Sequence, residues 1–277
     1  IRVEVEDHVA TLTLNRPDRA NRRRKGKSDS VDAEAAARAV LSGQASAVPK
    51  NREGAVDALR ALTMARSSAV KATTQASNQI KSLLVGCPDD LRDQLNVKSL
   101  LRLATRCSEL GPGTGMQSAL RSLGLRWLLL HEEVLGLDAQ IRDLVRATAP
   151  ALIARPGIGV HSAAQLLVTA GGNPDRFHSD AAFAALCGAS PVQASSGQRQ
   201  RHRLNRGGDR AANNALWTIA NNRLIHDPRT REFAARRRAQ GDSRNDILRV
   251  LKRYIARETF NLILAALRCD RAVLVAA

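Results

Sequence analysis

Two runs of residues at alternating spacings of three and four dominate the middle of the chain and leave it little choice but long helices. The first is Leu59, Leu62, Arg66, Ala69, Thr73, Ala76, Ile80 and Leu83; the second is Leu120, Leu123, Trp127, Leu130, Val134, Leu137, Ile141 and Leu144. Such spacing lays one stripe along one helix face, the pattern of a coiled-coil seam. The second stripe is apolar throughout and roughly 37 Å long at about 1.5 Å rise per residue. Arg66 and Thr73 interrupt the first, which either weakens it or fixes its register. Gly86-Cys87-Pro88 ends the first helix, and Gly111-Pro112-Gly113-Thr114-Gly115 precedes the second. The seams can pair within one chain or across a dimer, and an ordinary core-facing stripe would show the same spacing.

The charge limits the partners. The chain has 43 Lys and Arg against 26 Asp and Glu, a net +17, with 3% aromatic residues. That balance suits duplex or structured nucleic acid held through phosphates better than single strands read by stacking. Cys87, Cys107, Cys187 and Cys269 are scattered, with no zinc-like spacing, and read as reduced core thiols of a cytosolic protein. No apolar run reaches membrane-spanning length and no signal peptide opens the chain, so a cytoplasmic, nucleoid-associated protein is expected, with no membrane partner.

The chemistry concentrates in Gly188 to Ala220. A Ser190-Pro191 turn leads to Ser195-Ser196-Gly197, and Arg199, Arg201, Arg203, Arg206 and Arg210 follow before an apolar helical run. Guanidinium groups make paired bonds to phosphate oxygens, and a serine beside them could attack a phosphodiester. The same residues also make an ordinary polar, arginine-rich turn.

Two shorter stretches carry further candidates. Arg155-Pro156-Gly157-Ile158-Gly159, followed by Ala163 and Leu166, has the form of a helix-hairpin-helix element. Gly157 and Gly159 would let a phosphate approach the backbone, and amides opening the next helix would point at it. His161 reads as a surface or capping residue. Asp29 and Asp32 stand one helical turn apart, so both carboxylates share a face within reach of one divalent cation; an N-cap with acidic residues in the first turn accounts for them equally well.

Gly188-Ala189-Ser190-Pro191, Ser195-Ser196-Gly197, Arg206-Gly207-Gly208-Asp209-Arg210 and Asn213-Asn214-Ala215-Leu216 together resemble the C-terminal domain of the DEDD transposases. These are the one-ten family of bacterial insertion sequences, regarded as bridge-RNA-guided recombinases. The resemblance implies that the serine just before the glycine of this loop is the nucleophile that joins to DNA. That position is Ser196, with Ser195 adjacent. Gly26-Lys27-Ser28-Asp29, with Asp32-Ala33, is similar to the last two acidic positions of the family's ribonuclease-H-like domain, implying Mg²⁺ held by Asp29 and Asp32. The family's coiled-coil spacer brings subunits together, so a homo-oligomer is implied, along with DNA and a structured guide RNA as partners.

Residues 1–21 stand apart. Val3 and Val5, then Ala10, Leu12 and Leu14 on alternate positions, predict a β-hairpin, and Val9 to Asn21 resembles the opening of an enoyl-CoA hydratase (crotonase). The acyl-CoA pocket is missing, so hydratase activity is not expected. The resulting expectation is a mainly α chain in four parts: a hydratase-like segment 1–21, a remnant of the nuclease-like domain 22–50, coiled-coil helices 51–150 and a C-terminal transposase domain 151–277 containing the helix-hairpin-helix. No residue upstream of Arg22 is assigned to the first Asp and the Glu of the acidic site. An active transposase and a catalytically dead, DNA-binding, dimerising remnant therefore remain the two readings of function.

Overall fold

The computed structural model describes residues 2–6, 9–13, 29–43, 54–177, 179–193, 202–203, 205 and 207–276, with the backbone alone for 2–6, 9–13, 29–31, 193, 202–203 and 271–276. The chain is mainly α. At the N-terminus β1 (Arg2–Glu6) and β2 (Val9–Thr13) pair antiparallel with Val3 opposite Leu12, the hairpin that the alternation predicts. The next element is α1 (Asp29–Leu41).

The two seams lie on α2 (Gly54–Val85) and, after the short α3 (Asp89–Gln94) and α4 (Leu100–Ser108), on α5 (Gly115–Thr148). A capping box starts α5: the Thr114 hydroxyl accepts from the Gln117 amide while the Thr114 amide donates to Gln117 Oε1 at 2.8 Å. The helices run antiparallel against each other. Ile80 shares a core with Leu120, whereas Val56 and Leu59 share one with Ile141 and Val145. The seams therefore pair within one chain. Between the ends, Trp127 Nε1 donates to Ser77 Oγ at 2.8 Å in a buried contact, and Arg66 forks onto the Asp138 carboxylate. Of the two roles open to Arg66, fixing register is the one its geometry supports, because only one alignment brings it opposite Asp138.

Each end of this hairpin is sealed by its own core. At the far end Ile80, Leu91, Leu95, Leu103, Cys107, Leu110 and Leu120 close together. There α4 crosses α5 at Gly124, where a Cβ would lie 2.6 Å from the Ala104 carbonyl oxygen and 2.8 Å from the Ser108 nitrogen; the helix backbones touch, and no larger residue fits without parting them. At the near end lies the main core. It is built from α6 (Pro150–Ile153), α7 (Val160–Ala170), α8 (Asp180–Leu186), α9 (Arg210–His226), α10 (Pro228–Ala239) and α11 (Arg244–Ala276), together with the ends of α2 and α5. Phe177, Phe183 and Phe260 meet in it with ring centroids 5.7 to 6.5 Å apart. A spacing argument puts Tyr254 in this core. It is instead 53% exposed, with its ring edge-on to Phe233, because it flanks the α11 stripe of Ile247, Leu251 and Ile255.

Candidate nucleic-acid interface and serine loop

The serine loop is presented by a narrow base. Helix α8 runs out at Cys187, and Gly188, at φ +64°, turns the chain in a conformation that side chains other than glycine rarely adopt. β3 (Val192–Gln193) then pairs antiparallel with β4 (His202–Arg203), Val192 opposite Arg203. Ser195, Ser196, Arg199 and Arg201 belong to the 194–201 segment that this ladder encloses, and with Arg206 they lie outside the described residues. Arg203 is placed on β4 by its backbone alone, and Arg210, the first residue of α9, is exposed.

Beneath the ladder the two arms are stapled. The Asp209 amide donates to the Leu186 carbonyl at 2.7 Å. Gly208 packs so closely on Gly188 that a Cβ there would sit 2.3 Å from the Gly188 nitrogen and 2.4 Å from its Cα. Asn213 Nδ2 donates to the carbonyls of Cys187 at 3.0 Å and Gly188 at 2.9 Å, and Lys252 Nζ of α11 donates to Asn213 Oδ1 at 2.9 Å. Asp209 caps α9 by accepting from the amides of Ala211 and Ala212, and its other oxygen accepts from the Thr169 hydroxyl of α7 at 2.8 Å. Sequence reasoning finds the glycines and Asp209 but misses Thr169 and Lys252. The available signal for Lys252 was a cation at a core position of α11, between Leu248 and Ile255.

The glycine turn before α7 divides its two glycines by role. Gly157, at φ +74°, faces inward: a Cβ would meet Arg223 Cγ at 2.9 Å and the Ile219 carbonyl oxygen at 3.3 Å. Arg223 ties the turn to α9 and α11, with Nε donating to the Pro156 carbonyl at 2.8 Å and its other nitrogens to Glu258 at 2.7 and 3.1 Å. Gly159 instead occupies the N-cap of α7 with open space around its Cα, and no side chain caps that helix end. His161 follows, its Nε2 3.4 Å from Asp138 Oδ1. Burial, then Arg66, with a smaller push from Arg142, holds its imidazole below the usual pKa, against an opposing pull from Asp138.

On α1, Asp29 is the first residue and Asp32 follows within a turn, half-buried; the Asp29 side chain lies outside the described residues. Among the described residues no group of three or more His, Cys, Asp or Glu is placed to hold a metal ion. Cys87, Cys107 and Cys187 are buried and Cys269 is exposed, all four as free thiols; burial pushes Cys107 up to about 11 and Cys187 up to about 12. Among the described residues no helix is long and apolar enough to cross a membrane.

Comparison with known proteins gives this arrangement a family. Residues 149–235, which include α7, the whole serine loop and α9, match the transposases of the IS116/IS110/IS902 family. Residues 7–87 match the DEDD transposase domain of IS110 elements. The chain belongs to this family of insertion-sequence transposases. It is 34% identical over 161 residues to the insertion element IS110 uncharacterized 43.6 kDa protein of Streptomyces coelicolor, a match that covers 57% of this chain and 38% of that relative. The DEDD match runs over residues 7–87 and so spans the expected Asn21–Arg22 boundary. A DEDD domain implies dependence on a divalent cation in general.

Proposed function

We propose that this chain cleaves and joins DNA strands in the movement of an insertion sequence, with Ser196 as nucleophile. The hydroxyl attacks a phosphodiester, forming a serine–phosphate ester and releasing a sugar hydroxyl; a second strand's hydroxyl then attacks the same phosphorus, breaking the Ser Oγ–P bond, joining the strands and returning the serine hydroxyl. Arg199, Arg201, Arg203, Arg206 and Arg210 hold the phosphate backbone of the reacting strand. The Gly159 turn at the start of α7, with Gly157 fixing its fold against α9, holds the duplex nearby. The observation that carries this reading is the Gly188–Gly208 staple, a backbone contact that brings together the two ends of the stretch bearing the serines and arginines. Mg²⁺ at Asp29 and Asp32 belongs to the same reading, as do a structured guide RNA and action at the nucleoid; no step above is routed through the ion.

The test is a suicide substrate with a nick beside the junction, followed by denaturing electrophoresis. Adduct is expected from the unaltered protein and from Ser195→Ala, with a loss of at least about 10³-fold in Ser196→Ala. Adduct lost only in Ser195→Ala would move the role to the neighbouring serine. The DEDD match over residues 7–87 favours a second reading, in which the acidic centre activates water. Cleavage without any adduct would select it.

Self-association is also part of the proposal. Because the seams are consumed within the chain, the surface assigned to self-association is the outer face of α5, where Leu125, Leu129 and Leu135 are 52, 72 and 53% exposed. Sedimentation should show a dimer or larger species that the double substitution Leu125→Glu, Leu129→Glu converts to monomer. Unchanged sedimentation would remove this face from the assembly.

A further inference from the structure

Lys252 is 6% exposed on a mostly apolar face of α11, where its neighbours in the stripe are Leu248, Ile255 and Ala256. A methionine there would pack as well without desolvating an ammonium, and isolated buried charge is poor value for stability. Burial and the nearby Arg249 lower its pKa, so the site works against the charge it keeps. The reason for retaining it lies at the other end of its hydrogen bond.

An asparagine amide has an accepting and a donating end and can turn either way. Lysine only donates. By meeting Oδ1 at 2.9 Å, Lys252 leaves Asn213 one useful orientation, with Nδ2 aimed at the carbonyls of Cys187 and Gly188. Those carbonyls bracket the left-handed turn at which the first arm of the serine loop leaves α8. The second arm enters α9 at Asp209, which Thr169 and the Leu186 carbonyl hold. Three helices outside the loop, α7, α9 and α11, therefore set the direction in which its base points.

We infer that Lys252 and Asn213 are positioning residues for the serine loop: the ammonium orients the amide, and the amide locks the first arm. The catalytic part of this inference rests on the serine chemistry proposed above, whereas the locking does not. The two variants to compare with the unaltered protein are Lys252→Met, which keeps length and volume, and Asn213→Asp, which keeps a partner for Lys252 but cannot donate to the carbonyls. Three quantities are read: the thermal midpoint, the rate of tryptic cleavage at the loop arginines under native conditions, and duplex binding beside adduct formation.

Loss of the two carbonyl bonds should raise loop cleavage about tenfold or more while the fold persists, since native-state proteolysis follows the population of the open form. DNA affinity at fixed salt should stay within about twofold, and the adduct rate should fall about a hundredfold, the cost of a small misplacement of a reacting group. Loop cleavage that is unchanged in both variants would overturn the clamp. So would cleavage that rises only in step with global melting, because that is a merely structural role. If even the unaltered protein forms no adduct, the serine chemistry fails while loop cleavage still decides the clamp. Adduct formed at the unaltered rate by a variant whose loop is readily cut would refute the positioning role.

Discussion

Raising salt from about 50 to about 200 mM is expected to weaken duplex DNA binding by this chain about a thousandfold or more, the loss typical of a protein making six to ten phosphate contacts. The expectation follows from a net charge of +17, from five arginines within 199–210 and from a helix N-terminus at Gly159 that carries no side-chain cap. Each neutralised phosphate releases condensed counterions, and added salt removes that entropy. Sequence should matter little, because these contacts address the backbone. Titration of two unrelated duplexes at four salt concentrations gives the slope for each. A flat dependence, or a slope that differs strongly between duplexes, would mean that base reading dominates. Arg210→Ala, at an exposed position, should lower the slope by about one if that residue meets a phosphate.

Replacing Gly208 by alanine should cost about 3 kcal/mol, near the upper end of the ordinary range for overpacking, because the new Cβ meets backbone that cannot rotate away. The atoms it would strike are the Gly188 nitrogen at 2.3 Å, the Gly188 Cα at 2.4 Å and the Leu186 carbonyl oxygen at 2.9 Å. Parting the arms also strains the bond from the Asp209 amide to that same carbonyl. In a chain of this size that cost corresponds to a fall in thermal midpoint of roughly 6 to 12 °C. Gly207→Ala provides the contrast: its nearest contact is the Asn205 side-chain oxygen at 3.3 Å, a group able to shift. Equal effects at the two glycines, measured by calorimetry, would mean that the close approach is not what stabilises the base.

The parts of the fold legible in the sequence are those that repeat locally. Leu120 to Leu144 and its counterpart on α2 announce themselves because one stripe recurs turn after turn, and the glycine-proline breaks mark where each helix stops. Which stripe faces which is a long-range matter, and Arg66 opposite Asp138 becomes meaningful only once the hairpin is closed. The arginine run, the paired serines and the P-G-I-G turn, from which the proposed site is built, are plain in residue order alone. The clamp beneath it was not. Lys252 interrupts an apolar stripe, which in one dimension reads as a solvated flank, and Tyr254 two positions later reads as core; in three dimensions the lysine is inside and the tyrosine outside. Gly157 and Gly159 look alike in sequence, yet one is spent on packing against Arg223 and the other opens a helix end.

The hairpin of α2 and α5 joins two separately sealed cores through a stretch held by the small cluster of Ala76, Ala104 and Trp127 and by the Arg66–Asp138 pair. Such a span behaves as a ruler. Lengthening both helices by one heptad would carry the far core outward by about 10 Å, at about 1.5 Å per residue, with only a small change in the direction it faces. Neither core would need to be redesigned, since the added turns would lie between them. Reach can therefore change by insertion alone, and two elements with the same serine loop can differ in how far apart they hold whatever each end grips.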